Sequence, residues 1–167
     1  RAVDALGFKG ALLFSGHSGP HRLDVPRVLD VMRAHVSVRL FSVIGTAEPE
    51  SRFPDGKGMG GHAGRGETTL LWAVEPDCVD LSRMPTDDSG APHFAMGDYN
   101  DTSDRRLGEL MVGDIVEMLA EQAAALIAEY DAREAGPALT YEDIEVIWDE
   151  EIRPMLPDFA SMQTSDD

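Results

Sequence analysis

The sequence predicts an α/β fold with a mostly parallel sheet, on three observations. Two short apolar runs, Gly10–Ser15 and Val36–Ile44, flank a segment with helical spacing. That strand–helix–strand order is the usual route to parallel pairing. A long amphipathic stretch, Asp104–Tyr130, supplies a helix able to cover such a sheet. With 167 residues, 43% of them apolar, the chain is long enough for one packed domain.

Taken in order, Arg1–Leu6 reads as the end of a helix already under way, which leads us to expect the C-terminal part of a longer domain. Gly10–Ser15 ends in small residues and has the look of a buried parallel strand. Pro20–Ala34 places apolar residues at Leu23, Val28, Leu29, Val31 and Met32, and Pro26 argues against a helix starting much before residue 25. Val36–Ile44 is β-branched and aromatic, the next strand. Gly45–Gly66 then holds seven glycines and two prolines without apolar periodicity, and a loop of that length is functional or disordered. Glu67–Val74 returns to helix formers and stops at Pro76, while Asp80–Gly97 is again loop-like. In Asp104–Tyr130, Leu107, Leu110, Met111, Ile115, Met118, Leu119, Leu126 and Tyr130 recur at spacings of three and four. Thr102 or Ser103 is expected to cap its start, with Asp104 against the positive end of the helix dipole and the methionines filling core. A last helix, Tyr141–Arg153, ends before Pro154. The expected organisation is a single domain over 1–167, with a helical extension and tail over 136–167.

Fourteen basic against 31 acidic residues leave a net charge of −17, spread along the chain as on a solvated surface. Such a surface repels phosphate backbones and anionic lipid, so neither nucleic acid nor membrane is an expected partner. No stretch approaches the roughly 20 consecutive apolar residues that span a bilayer. The lone Cys78 excludes an internal disulfide and reads as a small buried packing residue, compatible with a cytoplasmic location.

The residues able to do chemistry gather in two glycine-rich segments. Ser15-Gly16-His17-Ser18-Gly19-Pro20-His21 follows the first strand, and the C-terminal ends of parallel strands are where open α/β sheets bind ligands. There the functional reading leads for His17, whereas His21, after Pro20, is expected simply to face solvent. Gly61-His62-Ala63-Gly64-Arg65-Gly66-Glu67-Thr68-Thr69 sets an imidazole and a carboxylate across a turn entering a helix. Both are natural ligands for Zn²⁺, Mn²⁺ or Fe²⁺, and the lesser alternative makes Glu67 a first-turn acid complementing the helix dipole. Ser15 and Ser18 lie near His17 without a nucleophile elbow, and Gly56–Gly61 lacks the spacing of a phosphate-binding loop.

Three segments carry a family resemblance. Phe8–Gly19, FKGALLFSGHSG, resembles the creatininase-family strand that runs into a G-H-G-G-N type loop. Gly61–Pro85, GHAGRGETTLLWAVEPDCVDLSRMP, resembles that family's H-A-G-x-x-E-T-S segment and the acidic run after it. Met96–Leu119, a Gly-Asp pair leading into the long helix, is similar to the family's closing helix. The core of the likeness spans 1–135.

The resemblance implies a three-layer α/β/α fold, often a hexameric homo-oligomer, and a site of two divalent metals (Zn, Mn or Fe) that handles a bridging water. It makes His17 a metal ligand and His62 a proton donor or acceptor beside the substrate. Glu67 matches the motif glutamate that binds metal or orients its neighbours. The substrate it implies is a small-molecule amide, linear or cyclic, with peptides or sugar-derived compounds as the alternative and a non-catalytic assembly subunit as a third reading. Two residues depart from the pattern: Gly19 stands where creatininase proper has a metal-binding glutamate, and Pro20 replaces the usual asparagine. The family's other metal ligands, an acid, a histidine and an aspartate, come from a segment upstream of these, so half a site is expected in this sequence. These departures turn the expectation away from creatinine itself.

Overall fold

The computed structural model describes residues 1–16, 19–44, 53, 61–84, 102–131 and 136–162. They fall into two compact units, one made of Arg1–Ala47 and Met118–Asp167, the other of Glu48–Glu117.

In the first unit a short helix α1 (Ala2–Ala5) turns at Gly7, whose φ of 77° suits a residue without Cβ. Strand β1 (Gly10–Ser15) then pairs with β2 (Arg39–Ile44) in parallel, from Gly10 opposite Arg39 to Ser15 opposite Ile44. Helix α2 (His21–Arg33) connects them, so the protein is α/β with a small parallel sheet. Strand β1 is less covered than its apolar run predicts: Leu13 and Phe14 are 40% and 49% exposed. Among the described residues it pairs on one edge only.

Strand β2 begins three residues later than hydropathy suggests, because a carboxylate has claimed the preceding amides. Ser37 and Val38 both donate their N–H to Asp4 Oδ1, at 2.9 and 2.8 Å. Helix α2 begins earlier than Pro26 was expected to permit. The amides of Leu23 and Asp24 both donate to the Pro20 carbonyl at 3.0 Å, which nucleates the helix at His21. Pro26 then removes one hydrogen bond inside α2 without ending the helix, which runs on to Arg33.

Residues 148–162 are fixed along α2. Helix α5 (Tyr141–Ile147) starts in a capping box: the Asp143 N–H donates to Thr140 Oγ1 at 3.1 Å, and Asp143 Oδ2 accepts the Thr140 N–H at 2.7 Å. Instead of stopping before Pro154, the helical path continues as a widened turn, Trp148–Ile152, and then as tight turns, Arg153–Asp158 and Ala160–Met162. Pro154 falls at the start of the first tight turn, where its missing N–H costs nothing. Asp24 of α2, buried, accepts the amides of Ala160 at 2.8 Å and Ser161 at 2.9 Å. Arg27 donates to the Asp158 carbonyl at 2.8 Å, and His35 Nε2 lies 2.7 Å from Glu151 Oε1. Ile147, Ile152 and Phe159 join Leu29, Val36, Val38, Val43 and Leu126 in the core of this unit.

The second unit is built on α3 (Arg65–Val74) and the first part of α4 (Arg105–Asp131), the long helix anticipated from periodicity. Its cap is neither Thr102 nor Ser103. Asp104 Oδ1 accepts the Leu107 N–H at 2.9 Å, so the acid assigned to the dipole is itself the cap. Met111 is core, 2% exposed. Cys78, by contrast, is exposed. It ends a single tight turn, Pro76–Cys78, whose amide bond to the Glu75 carbonyl fixes the backbone and leaves the thiol outside the packing.

The acids also differ from a purely solvated surface. Asp4, Asp24, Glu67, Asp80, Asp104 and Asp143 each accept a backbone amide. Hydrogen bonds from the Ser82 hydroxyl and amide hold Asp80 below the usual carboxylate range, as those from the Thr140 amide and hydroxyl do for Asp143. For Asp24, burial pushes the other way, but the Ser161 and Ala160 hydrogen bonds and the Arg27 charge together win and lower its pKa.

Candidate active site

His62 sits in a turn shaped by two positive-φ residues, Gly61 at 71° and Ala63 at 52°. The Gly64 N–H closes the turn on the Gly61 carbonyl at 3.0 Å, and Gly64, in extended conformation, caps α3. Alanine disfavours the left-handed region, so the turn needs outside support. Glu67, in the first turn of α3, provides it: Oε2 accepts the Ala63 N–H at 2.7 Å. The other oxygen, Oε1, faces His62 Nδ1 at 3.4 Å. Thr68 Oγ1 makes a longer contact, 3.4 Å, to the Ala63 carbonyl. The imidazole and carboxylate are thus brought together, and both side chains remain open to solvent, 64% and 53% exposed.

The opposite face of α3 is packed hard. Arg65, 3% exposed, lays its guanidinium 4.1 Å over the Phe53 ring centroid. Ser103 Oγ donates to the Arg65 carbonyl at 3.3 Å, and the Asp104 N–H donates to Thr69 Oγ1 at 3.1 Å, with Thr69 fully buried. At Gly108 the two helices approach so closely that a Cβ would stand 2.2 Å from the Thr69 carbonyl oxygen. The helix that presents Glu67 to solvent is thus buried on its other side. Sequence reading missed Arg65, Thr69 and Gly108; the lone glycine inside an otherwise regular amphipathic helix was the available signal.

His17 and Ser18 lie outside the described residues. His21 is exposed, as anticipated, with its Nδ1 3.5 Å from Ser15 Oγ. Among the described residues no group of three or more His, Cys, Asp or Glu could hold a metal ion, so these residues do not by themselves make a metal centre. What the pair can do is move a proton: an imidazole held against a carboxylate is a general acid–base arrangement. No helix among the described residues is long and apolar enough to cross a membrane.

A family model described as creatinine amidohydrolase matches residues 1–133, four-fifths of the chain and both glycine-rich segments. The chain belongs to the creatininase family. Membership suggests a hydrolase, and the family is in general metal-dependent. The match ends before α5, so the segment fixed along α2 lies outside it. No curated protein and no solved structure matches the chain.

Proposed function

We propose that this creatininase-family protein is a metal-dependent amidohydrolase that cleaves a non-peptide C–N bond, linear or cyclic, in a small molecule. The observation that carries this reading is the His62–Glu67 pair, set between a turn and the first turn of α3 at the positions that resemble the family's motif. In it His62 delivers a proton to the departing nitrogen, the step that makes an amine a competent leaving group near neutral pH. His17 is assigned to metal binding, with Zn²⁺, Mn²⁺ or Fe²⁺ as the candidate ions. We place the activity in the cytoplasm and in a homo-oligomer, with neither nucleic acid nor membrane as partner.

The departures at Gly19 and Pro20 favour a second reading, a family member kept for assembly without catalysis. Metal content of the full chain, with His17→Ala beside it, separates the two, followed by an amide screen with His62→Ala as control. Bound divalent metal lost in His17→Ala, and turnover lost in His62→Ala, support the hydrolase. A metal-free protein that turns over no amide supports the assembly subunit.

A further inference from the structure

We infer that residues 148–162 form a positioning strap. Through Asp24 the strap fixes the first turn of α2, and with it Gly19 and Pro20 at the end of the glycine-rich segment after β1. The functional weight of the inference rests on the reading of that segment as part of the site; its test does not.

One residue joins the two segments. The Asp24 N–H and the Leu23 N–H both donate to the Pro20 carbonyl at 3.0 Å, and the Arg22 N–H donates to the Gly19 carbonyl at 3.3 Å. The Asp24 side chain, 6% exposed, accepts the amides of Ala160 at 2.8 Å and Ser161 at 2.9 Å. Hydrogen bonds to an ionised acceptor are the stronger kind. Backbone and side chain of a single buried residue therefore tie the strap to the turn at Pro20. Arg27, three residues on and so on the same side of α2, donates to the Asp158 carbonyl at 2.8 Å. Ile152 and Phe159, both buried, hold the strap in the core of this unit.

The first turn of α2 is the part able to respond on its own. Pro26 has no N–H to donate to the Arg22 carbonyl, so one of the bonds linking that turn to the next is missing. The strap lies beyond residues 1–133, the part matched by the family model. It brings to the glycine-rich segment a constraint from outside that match.

Ala160→Pro tests the link with little other change. Phe159 is extended, with φ −74° and ψ 135°, the conformation favoured before proline, and Ala160 opens a tight turn, where proline is tolerated. The variant deletes the N–H that donates to Asp24 and leaves the sequence of α2 untouched. Amide hydrogen exchange, followed by NMR on the full-length chain, gives the readout. The Leu23 and Asp24 amides should exchange about tenfold faster, while those of residues 29–33 stay within about twofold of wild type. Leu23 and Asp24 amides that exchange as in wild type overturn the inference. So does a uniform rise along α2, which marks general destabilisation. If Ala160→Pro does not fold, Asp24→Asn decides by the same readout, because its side chain has one acceptor oxygen where the carboxylate has two. Exchange is read without turnover or metal, and both variants leave His17, His62 and Glu67 in place, so the hydrolase reading stands or falls separately.

Discussion

Asp24 and Glu67 do similar work in the two units and differ in what surrounds them. Both are acids near the start of a helix, and both accept backbone amides. Asp24 is buried and gives both oxygens to the backbone, to Ala160 and Ser161, so its role is to hold the C-terminal turns on α2. Glu67 is exposed and gives one oxygen to Ala63, leaving the other for His62. A fully committed carboxylate stabilises structure; a half-committed one can also orient a reacting group. Burial alone would have ranked Asp24 as the more interesting acid, whereas the partner of the second oxygen points to Glu67.

The comparison assumes that α3, which carries Glu67, is held firmly by its opposite, buried face, and Gly108→Ala tests this most severely. Glycine to alanine inside a helix ordinarily stabilises by up to about 1 kcal/mol. Here the added Cβ meets the Thr69 carbonyl at 2.2 Å, and we expect a net loss of about 2 kcal/mol by denaturant unfolding. A stabilised variant would show that the α3–α4 approach is loose and that the pair lacks a firm base. Met111→Ala should cost a similar amount, ~2–5 kcal/mol, because its side chain is 2% exposed.

Asp24→Ala should lower the thermal midpoint clearly and expose the chain after residue 136 to protease, since it leaves the Ala160 and Ser161 amides without their acceptor. Glu67→Ala should move the midpoint much less. Equal losses in the two variants would abolish the distinction drawn here.

Acid provides a gentler version of the same test. The folded-state pKa of Asp24 lies below its usual value of 3.8, so the unfolded chain takes up protons first as pH falls. Its contribution is complete above that value and is lost as pH falls through the lower, folded-state pKa. Asp80 and Asp143 act with the same sign. Acid unfolding followed by circular dichroism should therefore show a shallower pH dependence in Asp24→Asn than in wild type. The smallest effect is expected at Ala63→Gly: relief of the positive φ is offset by the freer unfolded chain, for a net change within about 0.5 kcal/mol.

Much of this protein is legible in its sequence. Gly10–Ser15 is the first strand to the residue, the long helix is displaced by a single residue from its predicted bounds, and the motifs around His62 and Glu67 already point to the family. These are signals that travel along the chain: apolar periodicity, and residue types at fixed spacing. What only the tertiary structure decided is where polar groups find partners. Asp4 shortens β2, Asp24 anchors the C-terminal turns on α2, and Asp104 displaces Thr102 and Ser103 as a cap where Ser103 bonds to Arg65. Each outcome depends on which amides and surfaces distant segments leave unsatisfied, and that follows from packing in three dimensions rather than from the local pattern of residues.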